Sequence, residues 1–334
     1  MTVESVLRPG APAPDRGLGE DHVDVAAPPD SLLVDAVFSP LRRFTTARSG
    51  PDKCAVKKQP ATGEATLSRV RVDGLDIQVS VRGSGPPLLL IMGLGGNLGM
   101  WEPLERELVA RGLRTISFDA PGTGGSSGWR VPRRMPSIAR VVERLLTALG
   151  EEQVDVLGVS LGGAIAQQLA HQAPDRVGSL VLAATMPGIG GVPGSPAVLL
   201  KMSTPRRYHD PEHFRATAGE LYGGRSRRDG PAQMHALPRF ERPPTWNGYL
   251  QQLYAVQGWS SMPWLHRLAQ PTLVMSGDDD PIVPLINGRI LSWRIPRARL
   301  HVVRGGGHLF LLEDAATSAL EIAQFLHHRR EDTT

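Results

Sequence analysis

Cysteine is almost absent from this chain, since only Cys54 among its 334 residues carries a thiol. A single cysteine cannot form an internal disulfide, and it cannot provide the several sulfur ligands of a cysteine-rich metal site. No apolar run approaches the length that spans a bilayer, so we predict no transmembrane segment. A disulfide-stabilised framework is therefore excluded, and the composition fits a protein of a reducing compartment.

An excess of charge of one sign is also missing. The 37 Lys and Arg side chains nearly balance the 33 Asp and Glu side chains, which gives a formal net charge of +4. Aromatic residues form 5% of the chain, and no dense basic run is interleaved with them. Nucleic acid is therefore not an expected partner. Apolar residues form 41%, which is enough for a sizeable core in one large α/β domain or two small ones.

The first 64 residues contain many prolines and little apolar periodicity, so we predict a poorly ordered extension over residues 1–64. Within it, the stretch from Ser31 to Phe44 has the pattern of a short amphipathic helix. This helix would either anchor the protein to an apolar surface or fold back onto its own domain. Polar residues follow Arg42-Arg43 where a twin-arginine export signal needs an apolar core. We therefore predict a cytoplasmic protein.

Strand and helix patterns alternate from residue 65 to residue 334. A hairpin is predicted around Asp73-Gly74, and Leu88–Ile91 is apolar throughout, as a strand buried on both faces should be. Further strands are predicted at Arg114–Asp119, Val154–Val159, Leu180–Ala184, Thr272–Ser276 and Leu300–Val303. Helices are predicted near Trp101–Val109, at Ser137–Leu149, after Ser160 as far as His171, at Leu285–Trp293 and at Leu309–Leu326. This alternation predicts an α/β fold whose mostly parallel sheet is flanked by helices.

A glycine-rich turn joins the predicted strand at Val154–Val159 to the helix that follows it. The turn reads Gly158-Val159-Ser160-Leu161-Gly162. A serine between two such glycines, after a strand and before a helix, is typical of a nucleophile elbow, in which the hydroxyl stands clear of the sheet. Ser160 is therefore the candidate nucleophile; the alternative is a merely structural tight turn.

A serine nucleophile needs a base to take its proton and an acid to orient that base. On this type of sheet the chain order is serine, acid, histidine. Three aspartates, Asp278, Asp279 and Asp280, follow the strand at Thr272–Ser276. Asp280 lies farthest into the turn and is the predicted acid, while the other two are predicted to cap the turn and hold the loop. His308 follows three glycines after the next strand and is the predicted base.

The other histidines are more easily interpreted as residues of helix surfaces, the insertion or the C-terminal tail. Asp119 ends a strand before a glycine-rich loop, and we interpret it as a residue that stabilises that turn. Attack on an ester creates an oxyanion, for which two backbone N–H groups are needed. We assign them to Leu161, directly after the nucleophile, and to Leu94 in the loop after Leu88–Ile91. A phosphate-binding role for this second loop is weaker, because no Gly-Lys-Ser/Thr follows it.

The alternation of strands and helices breaks between residues 187 and 266. This stretch is too long for a loop, so we predict an insertion with its own helices that covers Ser160 as a lid. Its clustered arginines would form either a solvated face or an anion site, and we favour the solvated face. These arginines are Arg206, Arg207, Arg225, Arg227 and Arg228.

The sequence resembles the α/β-hydrolase superfamily, and within it the intracellular depolymerases of medium-chain-length polyhydroxyalkanoates. The first resemblance depends on the elbow at Ser160, the turn at Asp280 and His308. The second extends from Leu88 to Phe325, and its less generic motifs include stretches of the insertion. These motifs are Val181-Leu182-Ala183-Ala184-Thr185, Thr204-Pro205-Arg206-Arg207-Tyr208, Leu221-Tyr222-Gly223-Gly224, Gln257-Gly258-Trp259-Ser260-Ser261, Pro263-Trp264-Leu265-His266, Gly277-Asp278-Asp279-Asp280-Pro281-Ile282-Val283-Pro284, Trp293-Arg294-Ile295-Pro296 and His308-Leu309-Phe310.

The resemblance implies hydrolysis of the ester bonds between medium-chain 3-hydroxyacyl units, with Ser160, Asp280 and His308 as the catalytic triad. It implies no cofactor and no metal, an ester substrate, and contact with the surface of a polymer granule. The chain departs from the family at Leu161, where tryptophan is expected, at Met92, where a polar residue is expected, and in the glycines before His308. Because of these departures, the resemblance defines the catalytic triad more closely than it defines the acyl pocket and the preferred substrate.

Three other functions stay open at this point. One is a general carboxylesterase or lipase that acts on soluble acyl esters. Another is a cofactor-free haloperoxidase or perhydrolase on the same fold. The third is a non-catalytic α/β-hydrolase that serves as a ligand receptor, against which the complete set of candidate catalytic residues argues.

Overall fold

The computed structural model describes residues 64–230 and 238–331. The predicted N-terminal extension, up to residue 63, and the helix predicted from Ser31 to Phe44 lie outside the described residues.

Eight strands form one sheet in the order β1-β2-β4-β3-β5-β6-β7-β8. The strands are β1 Thr66–Val72, β2 Leu75–Arg82, β3 Pro87–Ile91, β4 Arg114–Phe118, β5 Val154–Val159, β6 Val177–Ala183, β7 Thr272–Gly277 and β8 Ala298–Val303. β1 and β2 form the predicted hairpin, and β2 pairs antiparallel with β4. The other neighbours pair in parallel, so the sheet is mostly parallel, as predicted.

Helices cover both faces of the sheet. They are α1 Glu102–Ala110, α2 Met135–Leu149, α3 Leu161–Gln172, α4 Pro196–Met202, α5 Arg206–His209, α6 Pro211–Tyr222, α7 Gly224–Arg228, α8 Trp246–Val256, α9 Ile286–Arg294, α10 Phe310–Glu313 and α11 Ala315–Glu331. Alternate residues of β3 enter two separate cores. Leu89 packs on the side of α2 and α3, and Leu90 packs on the side of α1 and α11. This arrangement confirms the predicted α/β architecture.

The C-terminal helix differs from its prediction as a single element over Leu309–Leu326. It is divided at Asp314, whose backbone leaves the helical region at φ −136° and ψ 68°. The Asp314 side chain accepts a hydrogen bond from the Thr317 N–H at 3.3 Å. Aspartate caps a new helix better than it continues an old one, and this explains the division. Within the described ranges, no helix combines the length and apolar character required to cross a membrane.

An insertion, residues 184–271, lies between β6 and β7 and carries α4 to α8. Its α4 and α6 share a small apolar core with the loop after β7, through Val198, Phe214 and Ile282 among others. The sequence therefore predicted correctly that this stretch has helices of its own. Its action as a lid stays a prediction.

Candidate active site

Ser160 occupies the turn between β5 and α3 in a conformation that L-residues rarely adopt, with φ 56° and ψ −119°. Such a backbone costs about 1–3 kcal/mol and persists only where its surroundings hold it. Its N–H donates to the Ala183 carbonyl at 2.9 Å, and its carbonyl accepts the Thr185 hydroxyl at 2.7 Å. The last residue of β6 and the segment directly after it therefore hold the strained turn through both backbone groups of Ser160.

The two glycines that flank Ser160 are required by close packing. A Cβ at Gly162 would lie 2.0 Å from the Ile91 carbonyl oxygen, and a Cβ at Gly158 would lie 2.3 Å from the Gly162 carbonyl oxygen. Both distances are shorter than any real Cβ contact. Helix α3 can therefore start directly against β3 and β5 only because these positions lack side chains.

Asp280 and His308 form a buried pair. The Asp280 Oδ2 lies 2.8 Å from the His308 Nδ1. The other carboxylate oxygen, Oδ1, accepts the N–H groups of Ile282 and Val283, both at 2.9 Å. A carboxylate can only accept here, so Nδ1 carries the proton and Nε2 is the imidazole nitrogen left to act as a base.

The two neighbouring aspartates bind other loops instead of the histidine. Asp278 accepts the Gly305 N–H at 2.6 Å, and Asp279 accepts the Gly224 N–H at 2.8 Å and pairs with Arg227. These contacts agree with the prediction that both residues hold the loop. Their partners are the His308 loop and the insertion, whereas the prediction concerned the local turn.

The His308 loop packs against the end of α6. The His308 N–H donates to the Tyr222 carbonyl at 2.7 Å. A Cβ at Gly307 would lie 2.2 Å from that same carbonyl oxygen, which explains why glycine precedes the histidine. The position of the histidine backbone therefore depends on the insertion as well as on the sheet.

The loop after β3 is bound to the insertion through one peptide unit. The Leu94 carbonyl accepts the Tyr208 hydroxyl at 2.7 Å and an Arg207 N–H at 3.3 Å. The Gly95 N–H, on the same peptide, donates to the Gln252 side chain at 2.9 Å. Because α5 and α8 hold this peptide, the loop that carries the Leu94 N–H has a defined orientation.

Two cavities meet at Ser160. The smaller, about 50 Å³, is lined by Ser160 and His308, by apolar side chains that include Leu94, Trp101 and Leu312, and by four polar side chains of the insertion, Arg207, Tyr208, Tyr222 and Arg239. The larger, about 500 Å³, is also lined by Ser160 and Leu94, and in addition by Leu161. Apolar side chains form most of its wall; they are Ala164, Met186, Ile189, Leu199, Met202, Leu253, Val256, Trp259, Ile282 and Val283. The structure thus brings all the predicted site residues together, with Asp280 behind His308.

The expectation of a solvated arginine face is wrong for Arg207. Its side chain is 2% exposed and lies against the rings of Tyr208 and Tyr249, whereas its neighbour Arg206 is exposed and pairs with Asp210. Arg239 was not a candidate on sequence grounds, yet it is 1% exposed and lines the smaller cavity. No sequence pattern marks Arg239, which lies in a single short turn between Pro238 and Phe240.

Asp119 serves the turn, as interpreted. Its two carboxylate oxygens accept the N–H groups of Leu98 and Gly125, both at 2.7 Å, and its burial raises the pKa of this carboxyl. Among the competing histidines, His171 stacks on Trp264 with 4.2 Å between ring centroids. Across residues 64–230 and 238–331, no group of three or more His, Cys, Asp or Glu side chains is placed to hold a metal ion.

The chain belongs to the α/β hydrolase fold family, whose family model matches residues 86–315. It is 46% identical over 265 residues to a poly(3-hydroxyalkanoate) depolymerase of Ectopseudomonas oleovorans, covering 78% of this chain and 93% of the relative. A hydrolase from Pseudomonas aeruginosa has a similar crystal structure, with a TM-score of 0.66, 26% identity, and coverage of 78% of this chain and 98% of that one. The enol-lactonase of Burkholderia xenovorans shares the fold, with a TM-score of 0.68, 22% identity, and coverage of 78% and 100%.

Proposed function

We propose that this protein is a serine hydrolase that cleaves the ester bonds of a medium-chain poly(3-hydroxyalkanoate). The observation that carries the proposal is the position of Ser160, which lines a large apolar cavity and shares a second cavity with the buried His308–Asp280 pair. The 46% identity to a poly(3-hydroxyalkanoate) depolymerase supports the same substrate class.

The mechanism follows from the roles of these groups. His308 takes the proton of Ser160 through Nε2, and the serine oxygen attacks the ester carbonyl. The Leu94 and Leu161 N–H groups stabilise the oxyanion that forms. His308 then protonates the departing alcohol, and water repeats the sequence on the acyl-enzyme. Asp280 keeps Nδ1 protonated and stabilises the positive charge on the imidazole. The reaction requires no cofactor or metal.

The larger cavity is the site of the acyl side chain. Its volume of about 500 Å³ and its wall of Leu, Ile, Val and Met side chains fit an alkyl chain of medium length. Each methylene that leaves water for such a wall contributes about 0.8 kcal/mol. A medium-chain unit therefore binds more tightly than a short-chain unit, because the short side chain leaves much of the cavity unfilled.

An apolar rim adjoins this cavity and favours an insoluble substrate. The rim consists of Ile189, Val192, Leu199 and Leu200; Ile189 and Leu200 are 65% and 74% exposed. Ile189 and Leu199 also line the cavity, so the rim is continuous with its wall. Contiguous exposed apolar side chains are typical of an interaction surface. We assign the rim to the surface of a polymer granule in the cytoplasm and the insertion to a lid over Ser160.

The proposal is tested by acid release from amorphous medium-chain polyhydroxyalkanoate granules. Short-chain granules and a soluble octanoyl ester are assayed beside them, with Ser160→Ala as the control for each substrate. We expect Ser160-dependent release of 3-hydroxy acids that is fastest from the medium-chain granules. Cleavage of the soluble ester without attack on either granule would instead identify a general carboxylesterase.

A further inference from the structure

Two buried arginines line the smaller cavity beside Ser160 and His308. Arg207 and Arg239 are at most 2% exposed, and both belong to the insertion. Neither has an ion-pair partner among the carboxylates of the described residues, whereas three other arginines of the insertion, Arg206, Arg225 and Arg227, do. Burial of a charge without a counter-ion is costly, so two buried guanidinium groups that lack a carboxylate partner need an explanation.

The partners of these arginines are neutral groups. Arg207 donates to the Tyr249 hydroxyl and to the Leu94 carbonyl. Arg239 donates to the Tyr222 hydroxyl at 3.1 Å and lies 4.2 Å from the centroid of the Phe214 ring. Within the described part of the chain, the Nε atoms of both arginines are buried and make no hydrogen bond. The cavity thus holds two positive charges and unused donors.

The proposed reaction supplies an anion of suitable size. The last unit of a poly(3-hydroxyalkanoate) ends in a carboxylate that is separated by only two carbons from the ester oxygen of the preceding bond. A single water needs about 10–15 Å³ of such space, so a cavity of about 50 Å³ can admit a carboxylate in place of a few waters. Since Ser160 and His308 line the same cavity, this short spacing places the ester beside them.

We propose that Arg207 and Arg239 bind the terminal carboxylate of the polymer, so that the enzyme releases monomers from the carboxyl end. This inference rests on the proposed function. Ser160 attacks the carbonyl of the penultimate unit, the bond to the 3-oxygen of the last unit breaks, and His308 protonates that oxygen. One 3-hydroxy acid leaves, and one water hydrolyses the acyl-enzyme. The hydrolysis gives the shortened chain a new carboxylate, which is the group needed for the next cycle.

The test compares two soluble dimers of 3-hydroxyoctanoic acid, one with a free carboxylate and one with that carboxyl converted to the primary amide. Charged hydrogen bonds of this kind change kcat/KM by about tenfold to a hundredfold, so the wild type should prefer the free acid by that factor. Arg239→Gln leaves Arg207 as the remaining cation and should reduce the preference severalfold, and Arg239→Lys should retain more of it. Arg215→Gln, which alters an exposed arginine of α6, should leave the preference unchanged.

The ratio is measured within each variant, so a lower folded fraction after substitution of a buried arginine does not alter it. Equal kcat/KM for the two dimers in the wild type, or an unchanged preference in Arg239→Gln, would overturn the inference. If neither dimer is cleaved while the octanoyl ester is, the polyester function fails separately. In that case, the carboxylate site is tested by inhibition of octanoyl ester hydrolysis with 3-hydroxyoctanoate and with its amide. Stronger inhibition by the anion, together with loss of this difference in Arg239→Gln, supports the site. Equal inhibition by the two compounds rejects it.

Discussion

Asp280 is held through both of its carboxylate oxygens. One carboxylate oxygen faces the His308 Nδ1, and the other accepts two backbone N–H groups from the turn that follows. The residue is also buried, whereas Asp278 and Asp279 are only partly covered. At the scale of single residues, the three consecutive aspartates therefore have different tasks although their chemistry is identical.

Asp280→Asn should lower kcat for a soluble octanoyl ester by about 10³- to 10⁴-fold with little change in fold, because an amide cannot hold the imidazole in the required tautomer. Asp279→Asn is the matched control. It loses a half-exposed ion pair with Arg227 worth at most about 1 kcal/mol, but its amide oxygen can still accept the Gly224 N–H of α7, so kcat should stay near that of the wild type. Steady-state kinetics of both variants measure the difference, and similar losses in both would argue against Asp280 as the partner of His308.

The pKa of the Tyr222 hydroxyl depends on the positive charges that line the smaller cavity. Burial opposes its ionisation, but the nearby charges of Arg239 and Arg207 outweigh burial and bring the pKa of Tyr222 below its usual value of about 10. At pH values between the pKa of Tyr222 in the folded protein and about 10, the Tyr222 hydroxyl is still protonated in the unfolded chain but has lost its proton in the folded protein. Tyr222 ionisation therefore adds stability as pH rises through that window and contributes none at lower pH.

An ultraviolet titration of tyrosinate should accordingly find one tyrosine that ionises earlier than an ordinary phenol. Tyr222→Phe should remove this early step, and Arg239→Gln should move it to higher pH because one positive charge is gone. Tyr254→Phe is the control and should leave it in place, since Tyr254 lies outside the cavity, against Arg134. An early step that survives in Tyr222→Phe would assign the ionisation to another residue.

At the scale of elements, the insertion shapes the site as much as the sheet does. The end of α6 accepts the His308 N–H, α7 binds Asp279, and α5 and α8 hold the peptide after Leu94. Each contact joins the insertion to a loop at the carboxyl edge of the parallel strands. A change in this packing should therefore affect catalysis even where no catalytic side chain is altered.

Gly307→Ala tests this dependence, because the added methyl group would overlap the Tyr222 carbonyl. We expect a loss of stability of about 1–3 kcal/mol, as for other overpacked sites, together with a clear fall in kcat. Gly112→Ala is the control. Its φ of +80° also makes alanine unfavourable, by about 1–2 kcal/mol, but nothing lies within 4 Å of the new Cβ and the position is remote from the site.

Urea unfolding and steady-state kinetics of the two variants separate stability from activity. Gly112→Ala should become less stable while its kcat stays that of the wild type. An unchanged kcat in Gly307→Ala would mean that the contact with α6 does not position His308.

At the scale of the whole molecule, Ser160 lies where a large apolar cavity meets a smaller cavity that two buried arginines line. The rim of Ile189, Val192, Leu199 and Leu200 adjoins the larger cavity, and Arg207 and Arg239 line the smaller one. The proposed polymer has both kinds of group, alkyl side chains on every unit and a carboxylate at one end. This correspondence connects the substrate class with the cleavage of terminal units.

Replacement of Val192 and Leu200 together by serine should weaken adsorption to medium-chain granules by more than tenfold, since each aliphatic side chain contributes about 1.5–3 kcal/mol when buried. Both residues lie outside the cavity wall, so hydrolysis of the soluble octanoyl ester should not change. The matched control replaces Leu67 and Leu320, which are also exposed but lie on β1 and α11. Co-sedimentation with granules measures adsorption, and equal losses in both double variants would reject the rim as the docking surface.

The sequence alone determined the fold class, the order of strands and helices, and the candidates Ser160, Asp280 and His308. These features depend on local signals: apolar strands, a glycine-flanked serine between strand and helix, and polar residues directly after parallel strands, which meet at one edge of a sheet. The division at Asp314 was missed because apolar periodicity continues across it, and only the backbone reveals the new helix start.

Only the tertiary structure decided between Arg206 and Arg207. They are adjacent in the sequence and alike in chemistry, yet one is exposed and the other is buried beside Ser160. Helix α5, at four residues, is too short to show the periodicity that distinguishes a buried face from an exposed one. The environment of such a residue is set by side chains distant along the chain, here Tyr249 and the Leu94 peptide. The two cavities at Ser160 are likewise lined by side chains that are distant along the chain, so the sequence alone did not predict them.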